Sequence, residues 1–93
     1  MAEDAYERLV AGIGSLSSDE ERKAFLQTVL TPGELDDIVR RWEILELLSS
    51  GMPQRAIAEK LGVSLCKITR GARMLKENPC FGERLLSHAQ ATA

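Results

Sequence analysis

The stretch from Gln54 to Gly71, QRAIAEKLGVSLCKITRG, constrains this chain most, because it holds two short helical patterns separated by one glycine-centred break. Two short helices that meet at a steep angle need apolar residues where they cross, a small residue where the backbones come closest, and a glycine able to take a positive φ in the turn. Ile57, Leu61, Val63 and Ile68 meet the first need, Ala58 the second and Gly62 the third. The pattern predicts a helix-turn-helix: a first helix from Pro53 to Leu61, then Ser64 as N-cap of a second helix running to about Lys76 and stopped by Asn78-Pro79. A generic helical hairpin satisfies the apolar pattern too. It does not require Ser64, Leu65, Cys66, Lys67, Thr69, Arg70 and Arg73 all to point away from the crossing.

The rest of the chain also carries helical periodicity, so the fold class expected is all-α with six helices. A first helix is expected over Ala5 to Ile13, with Leu9, Val10 and Ile13 on one side. A second starts at Ser17, with Glu20 completing a capping box, and buries Phe25, Leu26, Val29 and Leu30. Thr31-Pro32-Gly33-Glu34 gives the clearest start, with a capping hydroxyl, a proline at N1 and a glutamate at N3. Leu35, Ile38, Val39, Trp42, Leu45 and Leu48 then form an apolar stripe, and Ser49-Ser50-Gly51 ends the helix. A last amphipathic helix, from Pro79 to about Ala89, presents Phe81, Leu85 and Leu86; Cys80 and Phe81 read as packing residues.

Ninety-three residues suffice for one domain. At 44% apolar and 28% charged residues the chain is too apolar for disorder and too polar for a membrane span. Glu3, Asp4 and Glu7 stand where a secretory leader is basic, so a cytoplasmic location is expected, with no membrane partner. Cys66 and Cys80 form no C-x-x-C pair and His88 is the one histidine, so no metal site is expected. The same histidine lies in a polar tail, which leaves catalysis without a poised base; an enzyme is not expected.

The net charge of −2 hides a strong asymmetry. Residues 1–51 carry eleven acids and five bases, whereas residues 52–76 carry Arg55, Lys60, Lys67, Arg70, Arg73 and Lys76 against Glu59 alone. A basic block in an acidic chain is what a face meeting phosphate requires, although a solvated helix face accounts for the charge equally well. Arg55, Lys67, Arg73 and Lys76 suit phosphates of double-stranded DNA, with Arg70 beside them. Ser64, Leu65, Cys66 and Thr69 are small or apolar and suit thymine methyls or water-mediated readout. Cys66 reads as a base-facing or solvent-facing side chain, since a thiol with no resolving partner gives no reversible disulfide within the chain.

Leu30-Thr31-Pro32, Arg40-Arg41, Ile68-Thr69-Arg70-Gly71 and Leu75-Lys76 resemble the tryptophan (Trp) repressor family over about residues 26–90. The resemblance implies an interwound homodimer that reads a palindromic operator as a transcriptional repressor. Residues 1–51 would supply dimerisation core helices, 52–76 the helix-turn-helix head and 77–93 a C-terminal dimerisation helix, in a single domain over 1–93. Two-fold symmetry then sets the half-sites roughly 34–36 Å apart. It further implies a corepressor, L-tryptophan in the family, sandwiched by two arginines and held through its carboxylate. The matching positions are Thr31, Arg70, Gly71 and one of Arg40 or Arg41: counting forward from Thr31 selects Arg41, counting back from Gln54 selects Arg40.

A guanidinium pairs bidentately with a carboxylate and stacks on an aromatic plane, so two arginines can recognise an aromatic acid in a small cleft. Alternatively, Arg40 and Arg41 form a solvated turn among Asp36, Asp37 and Glu43. Two positions depart from the family pattern: Met74 stands where a serine meets the ligand ammonium, and Lys67 where a threonine lines the pocket. The expected ligand is therefore L-tryptophan or another indole or aromatic carboxylate, and an acid lacking the ammonium suits Met74 better. The alternative is a DNA-binding or protein-interaction module with no small effector.

Overall fold

Local capping chemistry fixes most of the helix boundaries. The computed structural model describes residues 2–80, 82–84 and 87, and all regular structure in them is helical. The helices are α1 (Ala2–Gly14), α2 (Asp19–Val29), α3 (Pro32–Ser49), α4 (Gln54–Leu61) and α5 (Leu65–Glu77). Residues 79, 80, 82–84 and 87 of the expected sixth helix are helical as well, whereas Phe81, Leu85, Leu86 and His88 lie outside the described residues. No helix among the described residues is long and apolar enough to cross a membrane.

The start of α2 differs from expectation by one residue. Ser18, not Ser17, is the N-cap, and Glu21, not Glu20, closes the capping box. Glu21 wins because its Oε1 receives both serines at once: the Ser17 hydroxyl at 2.8 Å, the Ser17 N–H at 3.0 Å and the Ser18 N–H at 3.2 Å. Those donors, the Ser17 hydroxyl foremost, hold the Glu21 carboxyl below its usual range. The stabilisation is thus present while Glu21 is ionised and is lost as pH falls through its depressed pKa. At α3 the expected box forms: the Glu34 N–H donates to Thr31 Oγ1 at 3.1 Å, and the Thr31 N–H donates to Glu34 Oε1 at 2.9 Å.

Residues 1–36 and 37–93 form two compact units. In the first, no described residue is buried, and Tyr6 (69%), Val10 (54%) and Val29 (54%) are largely exposed. Leu26 and Val29, expected to be buried, are exposed, while Phe25 and Leu30 are half-buried. Two short helices offer no further layer to close over their apolar sides.

The second unit has a core. Ile57 of α4 and Ile68 of α5 are fully buried, and Ile44 of α3 is 3% exposed. Burying each isoleucine is worth about 1.5–3 kcal/mol, before any contribution from the half-buried Leu47, Leu48, Ala58, Leu61 and Val63 around them. The α3 stripe read from the sequence therefore needs correction: Ile38 and Val39 are exposed, and the core member is Ile44, which with Leu47 and Leu48 forms its own i, i+3, i+4 set. Cys80, expected to pack, is exposed, while Gly82, two residues on and so on nearly the opposite side of the helix, is buried.

Gly62 ends α4 in the left-handed region at φ 66°, ψ 37°, with its N–H on the Ala58 carbonyl. The Val63 N–H reaches that carbonyl too, at 3.1 Å, so the turn is tied at one acceptor before Ser64 opens α5. A second strut comes from α3: Arg40 Nη1 donates to the Leu61 carbonyl at 2.6 Å while its Nε pairs with Glu43 at 3.4 Å. Replacing Gly62→Val forces a β-branched residue into a left-handed conformation, and urea denaturation should show a loss of roughly 1–2 kcal/mol; an unchanged midpoint would show that the turn does not need positive φ.

Candidate functional site

The outer side of the α4–α5 pair presents the row that the sequence predicted. Ser64, Leu65, Cys66, Lys67, Thr69, Arg70, Arg73 and Lys76 are all exposed, as is Arg55 on α4. Leu65, Cys66, Thr69, Arg70 and Arg73 line a recess of about 370 Å³ along the first turns of α5. Thr69 Oγ1 lies 3.1 Å from the Leu65 carbonyl and 3.2 Å from Gln54 Oε1, and the second contact ties this row to the start of α4. Positive groups thus flank small and apolar ones on the exposed side of α5, which is the distribution that backbone phosphates and base edges require.

A larger cavity of about 490 Å³ opens between α3 and α5. Its apolar wall consists of Trp42, Ile44, Leu45, Met74 and Leu75, and its cationic wall of Arg41, Lys67 and Arg70. Gly71 lies at the base. A Cβ built there would stand 3.0 Å from Ile44 Cγ2 and 3.3 Å from Leu48 Cδ1, so the glycine permits the close approach of α5 to α3. A smaller recess of about 150 Å³ shares Arg41, Ile44, Lys67 and Arg70 with the cavity and adds Asp37 and Arg40. Arg70 lines all three hollows.

The two adjacent arginines of α3 have different surroundings. Arg41 lines both the cavity and the small recess; Arg40 lines the small recess alone and holds the Leu61 carbonyl. Of the other residues expected at a ligand, Arg70, Gly71 and Met74 line the cavity, while Thr31 belongs to the first unit and serves there as the cap of α3. Sequence reasoning missed Trp42, Leu45, Leu75 and Asn78 as cavity residues, and Asp37 as part of the small recess. The signal was spacing: Arg41 with Ile44 and Leu45, and Gly71 with Met74, Leu75 and Asn78, follow the i, i+3, i+4, i+7 rule for one helix side.

Residues 4–88 match the family model described as Trp repressor protein. The chain belongs to the Trp repressor family. It is 42% identical over 77 residues to a Trp operon repressor homolog of Xylella fastidiosa (strain M23), covering 82% of this chain and 84% of that one. The corresponding homolog of Chlamydia trachomatis serovar L2 is also 42% identical, over 76% of this chain and 82% of its own. That of Mannheimia succiniciproducens is 39% identical, over 81% and 76%. No solved structure gives a significant match to the chain. Membership of the Trp repressor family implies a DNA-binding transcriptional repressor rather than an enzyme.

The Gly71 approach is directly testable. Gly71→Val should cost roughly 1–3 kcal/mol by overpacking against Ile44 and Leu48, and in a Gly71→Val, Ile44→Ala double variant, which removes the opposing Cγ2, the two losses should be less than additive. Thermal melts in which the single variant matches the wild type would refute a tight α3–α5 contact at this residue.

Proposed function

We propose that this Trp repressor family member is an effector-dependent transcriptional repressor that binds a palindromic operator as a homodimer, with L-tryptophan or a related indole or aromatic carboxylate as corepressor. One observation carries the reading: Arg70 is a wall of the α3–α5 cavity and at the same time a member of the exposed row on α5. A ligand carboxylate or ring that engages Arg70 changes the position of a cation that also faces DNA. The effector then alters DNA affinity through its differential binding to two positions of the head.

The roles divide by position. Arg55, Lys67, Arg73 and Lys76 hold phosphates, and Ser64, Leu65, Cys66 and Thr69 meet base edges, partly through methyl contact and water. In the cavity an indole lies against Trp42, Leu45, Met74 and Leu75 over Gly71, and the arginines of α3 and α5 supply a bidentate partner and a stacking plane. A second copy of the chain is the partner that the exposed Tyr6, Leu9, Val10, Ile13 and Val29 of the first unit support, because a chain of this size gains core area by sharing it.

Calorimetry on the purified chain tests the effector: saturable heat with L-tryptophan or an indole acid is expected, and silence across such a panel would leave a DNA-binding or protein-interaction module without a small ligand. Arg70→Ala should weaken both ligand and DNA binding, whereas Arg73→Ala should weaken DNA binding alone. With about three or four phosphates per head, log affinity for DNA should fall with log salt at a slope of roughly −5 to −7 for the dimer. A slope near zero, or an Arg70→Ala variant with untouched ligand affinity, would contradict the reading.

A further inference from the structure

The α4–α5 head is fastened to α3 at two separate places. One is apolar: Ile44 and Leu48 meet α5 at Gly71. The other is polar and lies one turn earlier on α3, where Arg40 Nη1 donates to the Leu61 carbonyl at 2.6 Å and Arg40 Nε pairs with Glu43 at 3.4 Å. Among the described residues this is the one side-chain hydrogen bond that joins α3 to the head. Leu61 is the last residue of α4, so its carbonyl has no acceptor role within that helix, and a guanidinium suits the negative end of the helix dipole. Ser64, where the exposed row begins, follows three residues later. Arg40 therefore holds the end of the head that carries the exposed row, and Gly71 holds the middle of α5.

Either anchor alone leaves a pivot. Apolar packing at Gly71 is non-directional and lets α5 swing about that point, whereas a hydrogen bond one turn away on α3 fixes how far the row stands from α3. From these two anchors we infer that Arg40 is the positioning residue that sets the tilt of the head while the cavity is empty, so that Arg40 determines the basal operator affinity of the chain. An effector lodged between α3 and α5 supplies a further anchor, and the strut is then redundant. The coupling between effector and operator is thereby limited by Arg40, because an effector adds only the order that the empty head lacks. The Arg40 and Glu43 side chains are both 44% exposed, so water screens the strut and its effect is about three- to tenfold.

The inference rests on the reading of this chain as an effector-dependent repressor, and the experiment separates the two. Fluorescence anisotropy uses the full-length chain and a palindromic duplex that the wild type selects from a random pool, with and without saturating L-tryptophan. Arg40→Ala should weaken duplex binding about three- to tenfold without L-tryptophan and about twofold or less with it, so that the ratio of the two affinities rises. Arg40→Lys, which can still donate to the carbonyl, should recover part of the loss, and Glu43→Gln should act in the same direction by less. The salt slope should keep its wild-type value, since Arg40 holds a carbonyl and not a phosphate. Equal losses with and without L-tryptophan, no loss at all, or a slope smaller by about one per head, which marks a phosphate contact, would overturn the assignment. If the wild type does not respond to L-tryptophan, the effector reading fails by itself and Arg40 is judged without it: a loss at unchanged slope that Arg40→Lys reverses in part supports the assignment, and wild-type affinity overturns it.

Discussion

Burial of Ile44 against Ile57 and Ile68 is the interaction on which the rest of the second unit depends. Ile57 and Ile68 hold α4 and α5 at their crossing, and Ile44 brings α3 onto the same core. Gly71 then lets α5 approach α3 closely enough for the flanking residues to line a partly open cavity. Because Ile68 and Gly71 point inward, Cys66, Thr69 and Arg73 point outward on the same helix, and Leu65 sits at the flank between the two sides. One packing arrangement therefore defines both the hollow and the exposed row.

The electrostatics follow the same division. Acidic residues dominate the chain up to Gly51, and the bases concentrate between Arg55 and Lys76, so the positive potential is confined to the helix-turn-helix in a chain whose net charge is negative. The cations of α3 and of that block differ in use. Arg40 is held by Glu43 and a helix-terminal carbonyl, which stiffens the join between α3 and the turn. Arg41, Lys67 and Arg70 make no such internal pair among the described residues and remain available to a ligand or a phosphate. Arg70 is common to the cavity and the exposed row, which is why the proposed function assigns the coupling of the two to it.

Much of this was legible in the sequence, for identifiable reasons. Glycine with positive φ at Gly62, a capping box at Thr31 and Glu34, and apolar residues at Ile57, Leu61, Val63 and Ile68 are local signals, and each was read from neighbours a few positions apart. What escaped depended on which of two plausible neighbours wins. Ser18 and Glu21 cap α2, although Ser17 and Glu20 have the same spacing, because only Glu21 collects donors from both serines. Ile44 escaped because α3 is apolar on more than one side, and only packing against α4 and α5 selects the buried one. Asp37 read as one of several surface acids, since its place beside Arg41, Lys67 and Arg70 requires bringing together residues about thirty positions apart.

Titration of L-tryptophan into the ¹⁵N-labelled chain, followed by the Trp42 indole N–H and the Arg70, Gly71 and Met74 amides, tests the central claim most directly. The account predicts saturable shifts at these four groups with one common midpoint, accompanied by smaller shifts at Leu65 and Cys66 on the exposed row of α5. Unmoved cavity signals at saturating ligand, or shifts that saturate only at residues outside α3 and α5, would contradict it.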